Sequence, residues 1–210
     1  KTTNVENMQY MFDGCSSIRE FDLRSFDTSN VVYMNNILIR KGQIKDANGV
    51  VQVKTLTWLT TYKGLVPDSL LDERLKTMDE RTLKLVNSIK QDNNLYVADN
   101  NGRIVGTVSY GPSRNIEYPD VGEIYSLYVL KEYQGLGLGK QLFKKAIEEL
   151  INKGYNSMII NVLKGNNTIK FYEKYGGKKI NVREDDYNGI ILKENIMYFD
   201  NIIDIVQNMI

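Results

Sequence analysis

The spacing of apolar residues from residue 37 onward predicts one strand followed by three helical segments. The strand covers residues 37–41. Apolar residues then recur at helical spacing between Asp46, a candidate N-cap, and Gly64, and again beyond Pro67, which suits a first helical turn. A third amphipathic run covers residues 83–89. We therefore expect a helical region directly after the first strand.

Further along the chain, the pattern alternates between strand-like and helix-like spacing. An Asn-Asn-Gly turn at residues 100–102 joins two β-rich runs and predicts an antiparallel hairpin. The remaining pattern predicts a strand at 123–130, a helix at 138–151 closed by Gly154, a strand at 158–163, a helix at 167–175, and strands at 179–183 and 190–199. This order of elements is typical of an α+β domain with a mixed sheet.

The first part of the chain has a different pattern. Residues 3–8 recur in similar form as residues 29–34, a period of roughly 26 residues. Together with residues 11–31, this segment resembles the leucine-rich repeat of BspA-like bacterial surface proteins. A single solenoid repeat cannot bury its own apolar edge, so we expect residues 1–33 to be a repeat-like extension or fusion remnant before a domain at residues 34–210. The alternative is that the segment forms a strand and loop of the main domain.

Composition and charge exclude several classes of function. The chain has 210 residues, of which 42% are hydrophobic, enough for one core, and its formal net charge is +1. Such a balance attracts neither nucleic acid nor an anionic membrane, and no apolar run approaches the roughly 20 residues of a transmembrane helix, so we expect neither partner. The polar opening Lys-Thr-Thr-Asn lacks the apolar core of a signal peptide, and we expect a cytoplasmic protein.

Two residue types restrict the chemistry further. Cys15 is the one cysteine, and the chain has no histidine. An internal disulfide, a zinc site of Cys/His type and any Ser-His-Asp or Cys-His arrangement are therefore excluded, and we expect no metal. An acid or base in this protein must be Glu, Asp, Tyr, Lys or a water molecule.

A glycine-rich turn at residues 134–140 lies between a predicted strand and a predicted helix, where backbone N–H groups and the helix dipole favour an anion. A P-loop is excluded because Gln134 and Gln141 occupy the positions that need glycine and Ser or Thr. A dinucleotide fingerprint is excluded because its third glycine would fall on Lys140 or Leu142. The pattern that remains is Gln-x-x-Gly-x-Gly, with a flexible turn of surplus glycine as the alternative.

This pattern resembles the pyrophosphate loop of the GNAT superfamily of acetyltransferases. Residues 162–166, followed by 171–176, are similar to a later motif of the same family, and the resemblance covers about residues 34–199. It implies an α+β fold with a mixed central sheet flanked by helices, and an acetyl-CoA-dependent N-acetyltransferase that acts on a primary amine without a metal. One departure is Gly177, where the family usually has a bulky aromatic residue.

The resemblance also implies roles for individual residues. Glu123 is the expected general base, directly or through water, and Tyr172 is the expected acid for the leaving thiolate. A solvated strand-end carboxylate and a core tyrosine are the respective alternatives. Backbone amides of Leu127 and Val129 are expected to hold the pantetheine and the thioester oxygen. The expected cofactor-binding set is Leu127, Tyr128, Val129, Gln134, Gly135, Leu136, Gly137, Leu138, Gly139, Lys140 and Asn166.

The acceptor side is less defined. Trp58 and Tyr62 share one helical face and are candidates for the wall of an acceptor pocket, with core packing as the alternative. A peptide N-terminus, a lysine, a polyamine, an amino sugar or an antibiotic all remain open as the acceptor amine. The alternative function is a non-catalytic acetyl-CoA-binding or sensor domain, and the sequence leaves open whether the protein is a monomer or a homodimer.

Overall fold

A computed structural model describes residues 37–187 and 189–209. The predicted repeat-like extension, residues 1–33, lies outside the described residues. The strands are β1 (Ile37–Lys41), β2 (Leu95–Asn100), β3 (Arg103–Pro112), β4 (Gly122–Val129), β5 (Met158–Leu163), β6 (Lys178–Tyr187) and β7 (Ile190–Phe199). The helices are α1 (Ala47–Thr61), α2 (Asp68–Lys76), α3 (Met78–Gln91), α4 (Leu138–Asn152), α5 (Ile169–Lys174) and α6 (Ile202–Asn208). Across the described ranges, no helix is long and apolar enough to cross a membrane.

The strands form one seven-stranded sheet in the order β1-β2-β3-β4-β5-β7-β6. β4 and β5 are parallel, and the other neighbouring strands are antiparallel. The α+β fold with a mixed central sheet, expected from the sequence, is confirmed. Since β4 and β5 lie in the middle of the sheet, their pairing decides whether the sheet is continuous there.

The pairing of β4 with β5 is short. It joins residues 122–124 to residues 158–160 and then stops, although both strands continue. On the other side of β4, the register with β3 shifts between Ser109 and Tyr110, so that Tyr125 has no partner in the ladder. A bulge of this kind bends the strand and increases its twist. The two central strands therefore separate and leave an opening in the sheet.

Helix α4 packs tightly against the sheet beside this opening. Its residues Leu142, Phe143 and Leu150 are fully buried. The backbone approaches closely at Gly122, where an added Cβ would lie 2.8 Å from Leu150 Cδ2. The helix is thus held rigidly with its N-terminus at the end of β4.

The departure at Gly177 has a structural explanation. An added Cβ at this position would lie 2.7 Å from Phe199 Cζ and 2.9 Å from the carbonyl oxygen of Tyr172. Phe199, on β7, therefore occupies the space that a side chain at residue 177 would need. The packing after α5 is complete without an aromatic residue there.

Local details differ from the sequence predictions at two helix starts. Asp46 lies at the N-cap of α1, but its carboxylate makes no capping bond to that helix. It accepts hydrogen bonds from Arg40 Nη1 at 2.6 Å and from the backbone N–H of Gln43 at 2.8 Å. Pro67 precedes α2 as its N-cap residue and does not lie in the first turn. The short helix α6 was not predicted.

Candidate active site

The glycine-rich turn connects the end of β4 to α4. Gly135 and Gly137 have φ angles of 80° and 83°, a left-handed conformation that glycine adopts without strain. The Gln134 side chain donates to the carbonyl oxygen of Val129 at 2.9 Å and ties the turn to the strand. A Cβ added at Gly137 or Gly139 would meet no atom within 4 Å. The turn therefore leaves open space in front of the first N–H groups of α4, where an anion is favoured.

Backbone amides of β4 face the opening between the central strands. The N–H of Leu130 donates to Val105 on β3 at 2.9 Å. Because hydrogen-bonding groups alternate along a strand, the N–H groups of Leu127 and Val129 point to the opposite side, toward β5. The ladder between β4 and β5 has already ended at Ile124. Both amides are thus left for a ligand.

A cavity of about 260 Å³, which we call the β4–β5 cavity, occupies this opening. Leu127, Val129, Gly139 and Asn166 all line it. Asn166 uses its Oδ1 to accept from the backbone N–H and hydroxyl of Thr168, at 2.9 and 2.7 Å, so its amide NH₂ remains the group that it can offer to a ligand. The β4–β5 cavity therefore collects donors from a strand, a helix start and a loop.

Tyr172 closes one side of the β4–β5 cavity. It is 4% exposed, and its ring packs edge-on against Phe143 and Phe171, with ring centroids 5.7 and 5.2 Å away. Burial raises the pKa of its hydroxyl, so the group stays protonated at neutral pH. The residue thus combines a packing role with a protonated oxygen at the cavity.

A second and larger cavity, of about 720 Å³, lies between helices α1–α3 and strands β4–β7. We call it the cationic cavity because six lysine and arginine side chains line it, against two carboxylates. The residues that line both cavities are Tyr62, Tyr125, Ser126, Tyr128 and Asn161. The two cavities therefore meet at these side chains, and groups bound in each can come into contact there.

An aromatic wall stands at this junction. Trp58 Nε1 donates to Tyr128 Oη at 3.0 Å, and the rings of Trp58 and Tyr62 meet edge-on at 4.6 Å. Trp58 is only 5% exposed, so it packs in the core and borders the cationic cavity at the same time. Asn161 Oδ1 is buried at the junction and has no hydrogen-bond partner among the described residues.

Two carboxylates lie close to the junction. Glu123 is 1% exposed and accepts from Arg114 Nη2 at 2.6 Å and from the Arg114 backbone N–H at 2.7 Å. It lines neither cavity, whereas Arg114 lines the cationic cavity. Glu194 does line the cationic cavity, and burial raises the pKa of its carboxyl group. A ligand in the cationic cavity can therefore contact Glu194 directly. Arg114 lies between such a ligand and Glu123.

Comparison with known proteins adds an independent observation. Residues 55–177 match the Acetyltransferase (GNAT) family. An uncharacterized N-acetyltransferase of Bacillus subtilis, YuaI, is 32% identical over 162 residues, which cover 75% of this chain and 90% of the relative. The chain belongs to the GNAT family. It is an acyltransferase.

Two solved structures share the fold of this GNAT domain. The PaiA N-acetyltransferase of Thermoplasma acidophilum, in complex with coenzyme A, has a TM-score of 0.62 at 21% identity and covers 78% of this chain and 98% of its own. YncA of Salmonella typhimurium, a putative acetyltransferase with acetyl-CoA, has a TM-score of 0.58 at 19% identity and covers 79% and 94%. Separately, residues 1–59 match a family described as Mycoplasma protein of unknown function, DUF285. The repeat-like extension and its boundary at residue 34 stay predictions.

Most of the residues predicted for the GNAT site lie around the β4–β5 cavity. Leu127, Tyr128, Val129, Gln134, Gly139, Asn166 and Tyr172 line it directly. Gly135, Leu136, Gly137 and Lys140 belong to the turn and first helical residues beside it, while the Leu138 side chain is buried in the core, so only its backbone can serve a ligand. Glu123 is the one predicted catalytic residue outside both cavities.

Several polar residues of the cationic cavity were missed in the sequence. They are Lys54, Arg74, Arg81, Asn161 and Glu194, all of which line the cationic cavity. None of them belongs to a motif, and Arg74, Arg81 and Glu194 lie among other polar residues in the sequence. The folded chain brings them together from five elements, so no spacing in the sequence could have indicated them.

Proposed function

We propose that this chain is an acetyl-CoA-dependent N-acetyltransferase that moves the acetyl group from the CoA thioester to a primary amine by direct attack. The observation that carries the proposal is that the two cavities share five lining residues, so that a thioester in the β4–β5 cavity can meet an amine in the cationic cavity. The ligands named for two solved structures of this fold, coenzyme A and acetyl-CoA, support the same assignment. The β4–β5 cavity takes the cosubstrate, and the cationic cavity takes the acceptor.

The residues present fit this cosubstrate. The turn at Gly137 and Gly139 leaves room for a pyrophosphate against the N-terminus of α4, beside Lys140. The amides of Leu127 and Val129 can hold a pantetheine arm that lies along β4, in the space where β5 no longer pairs with it. Thr57 Oγ1, which has no hydrogen-bond partner among the described residues, lines the same cavity and offers a further polar contact.

Acetyl-CoA supplies an acyl group activated as a thioester. Backbone N–H groups of β4 polarise the carbonyl, as fixed donors do in other acyl-transfer sites. Tyr172 holds its proton at neutral pH and gives it to the departing sulfur, while the amine nitrogen forms the new bond to carbon. The proton that the amine loses goes to a base on the acceptor side.

Two carboxylates are candidates for this base. Glu123 is the residue predicted from the sequence, and it acts through water past Arg114, since both of its oxygens accept from that residue. Glu194 lines the acceptor cavity, and its raised pKa makes it a stronger base than an ordinary glutamate. The position of Glu194 favours it for an acceptor that must lose a proton within the cavity.

The test is thiol release from acetyl-CoA with a panel of primary amines, for the wild-type chain and for Tyr172→Phe. The substitution keeps the ring and its packing and removes the proton. Turnover should fall roughly 10²- to 10⁴-fold, the usual span for general acid catalysis, with acetyl-CoA affinity little changed. A loss within about fivefold would reduce Tyr172 to a packing residue. If acetyl-CoA binds tightly but no amine in the panel causes thiol release from it, the result would support a sensor domain instead.

A further inference from the structure

Three basic side chains line one part of the cationic cavity, and each comes from a different helix. Lys54 belongs to α1, Arg74 to α2 and Arg81 to α3. Lys54 makes no hydrogen bond or ion pair with any described residue, and the charges that act on it belong to Arg74, Arg81 and Arg114. The cluster, which we call the Lys54 cluster (Lys54, Arg74 and Arg81), forms no ion pair with a carboxylate in the described part of the chain, although the Glu73 charge attracts Arg74.

The two arginines are held in place but are not satisfied. Arg74 Cζ lies 3.3 Å from the ring centroid of Trp58, and Arg81 Nη2 donates to Thr55 Oγ1 at 2.8 Å and to the carbonyl oxygen of Arg74. The Nε atoms of both arginines are buried and lack a hydrogen-bond partner among the described residues. A buried donor without an acceptor is costly, which is why most such groups are paired. Each guanidinium group is therefore held in place and has one buried donor, its Nε, without an acceptor among the described residues.

The two carboxylates that line the cationic cavity pair with Arg183 and not with the Lys54 cluster. Asp185 and Glu194 both pair with Arg183, at 3.0 and 3.7 Å. The exposed Lys84, on the rim, pairs with Glu80 at 2.6 Å. The remaining positive charge is thus concentrated at the Lys54 cluster. The repulsion within it is reflected in Lys54, whose pKa is lowered to about 8 by burial and by the neighbouring arginines.

We propose that the acceptor is a small-molecule primary amine that carries a carboxylate or phosphate group, and that the Lys54 cluster binds this anionic group. The inference rests on the proposed function and deepens it by naming the substrate class. Arginine donors match the oxygens of carboxylates and phosphates, and the volume of about 720 Å³ is in the range of small-molecule sites. With the anion at the cluster, the amine is directed to the junction, where Asn161 Oδ1 can accept one of its N–H groups.

The experiment compares matched acceptors on the full chain in the thiol-release assay. Phosphoethanolamine against ethanolamine tests phosphate, and 4-aminobutyrate against butylamine tests carboxylate. One anionic member should have a kcat/KM at least about tenfold above that of its neutral partner, because a hydrogen bond to a charged group is strong. Equal use of both members in both pairs would overturn the inference, and so would acetylation of peptides alone.

Variants assign the preference to the cluster. Lys54→Gln loses no hydrogen bond, and both Lys54→Gln and Arg81→Gln should raise KM for the anionic acceptor at least about tenfold while leaving acetyl-CoA affinity unchanged. Arg81→Lys should restore part of the preference. Lys178→Gln is the control, because Lys178 is an exposed cation outside both cavities that pairs with Asp200, and it should change neither KM nor acetyl-CoA affinity. An equal rise in KM for neutral acceptors would contradict a role in anion binding.

A binding measurement separates this inference from the proposed function. Inorganic phosphate and acetate are titrated calorimetrically into the full chain and into the same variants. Binding of either ion that is weakened by Lys54→Gln, but not by Lys178→Gln, supports the anion site. It does so even if no amine in the panel is acetylated, and in that case the proposed function alone fails. Absence of binding by both ions overturns the anion site.

Discussion

Replacement of Lys54 by methionine should stabilise the protein. Lys54→Met keeps a long apolar stem but removes a partly buried cation that has no ion-pair partner in the described ranges. Lowering the lysine pKa from 10.5 to about 8 corresponds to about 3 kcal/mol of destabilisation at full burial. Because the side chain retains some access to solvent, we expect a gain of about 2 kcal/mol in the free energy of unfolding at pH 7.

The gain should depend on pH in a defined direction. The folded chain loses the Lys54 proton more readily than the unfolded chain, so the penalty is full below about pH 8 and disappears as the pH rises past 10.5. Wild-type stability should therefore rise relative to Lys54→Met across this interval. By pH 9.5, the difference between the two proteins should have fallen by about half.

Urea unfolding followed by the fluorescence of Trp58, the one tryptophan, provides the assay. Lys84→Met is the control, since Lys84 is exposed and paired with Glu80, and its replacement should change the free energy of unfolding by less than about 0.5 kcal/mol. A destabilised Lys54→Met, or a difference that does not vary with pH, would refute the reasoning. It would mean that the Lys54 charge is compensated in the folded protein.

Three other predictions concern the site and the domain boundary. The activities of Glu123→Gln and Glu194→Gln should be measured with a lysine-like acceptor, and the variant that lacks the base should lose activity and shift its pH optimum upward. If neither variant loses activity, both carboxylates are excluded as the base. Gly139→Val fills open space at the start of α4, so calorimetry should show at least about tenfold weaker acetyl-CoA binding with little change in thermal unfolding; unchanged affinity would place the pyrophosphate elsewhere. Deletion of residues 1–33 should leave acetyl-CoA binding intact, because every predicted cofactor residue lies beyond them, and loss of folding would make the segment part of the domain.

Much of the fold could be predicted because its signals are local. The strands at 37–41 and 158–163 have the bounds that the apolar pattern indicated, and the glycine turn lies before α4 as expected. Helix α6 was missed, although Asn201 is a good N-cap whose Oδ1 accepts from Ile203 N–H at 3.1 Å. Apolar spacing and helix caps involve residues that are close together in the chain, so they can be recognised in the sequence without knowledge of tertiary contacts.

Other features depend on neighbours that are distant in the chain. The sequence indicated a carboxylate at Glu123, but only the folded chain shows that Arg114 pairs with it and that Glu194, on β7, lines the cationic cavity. The free amides of Leu127 and Val129 were expected from family resemblance alone. The physical cause is that β5 leaves β4 after Ile124, a property of two strands that are far apart in sequence.

By itself, the sequence determined the order of strands and helices as far as β7, the glycine-rich turn before α4 and the exclusion of histidine chemistry, because each depends on residue type or short-range spacing. The tertiary structure alone decided where the sheet opens and which charges lack a partner. A cavity exists where none of the surrounding elements places a side chain, and a charge is unpaired where none of them places an opposite charge. The Lys54 cluster, contributed by three helices, therefore becomes visible only when those helices pack together.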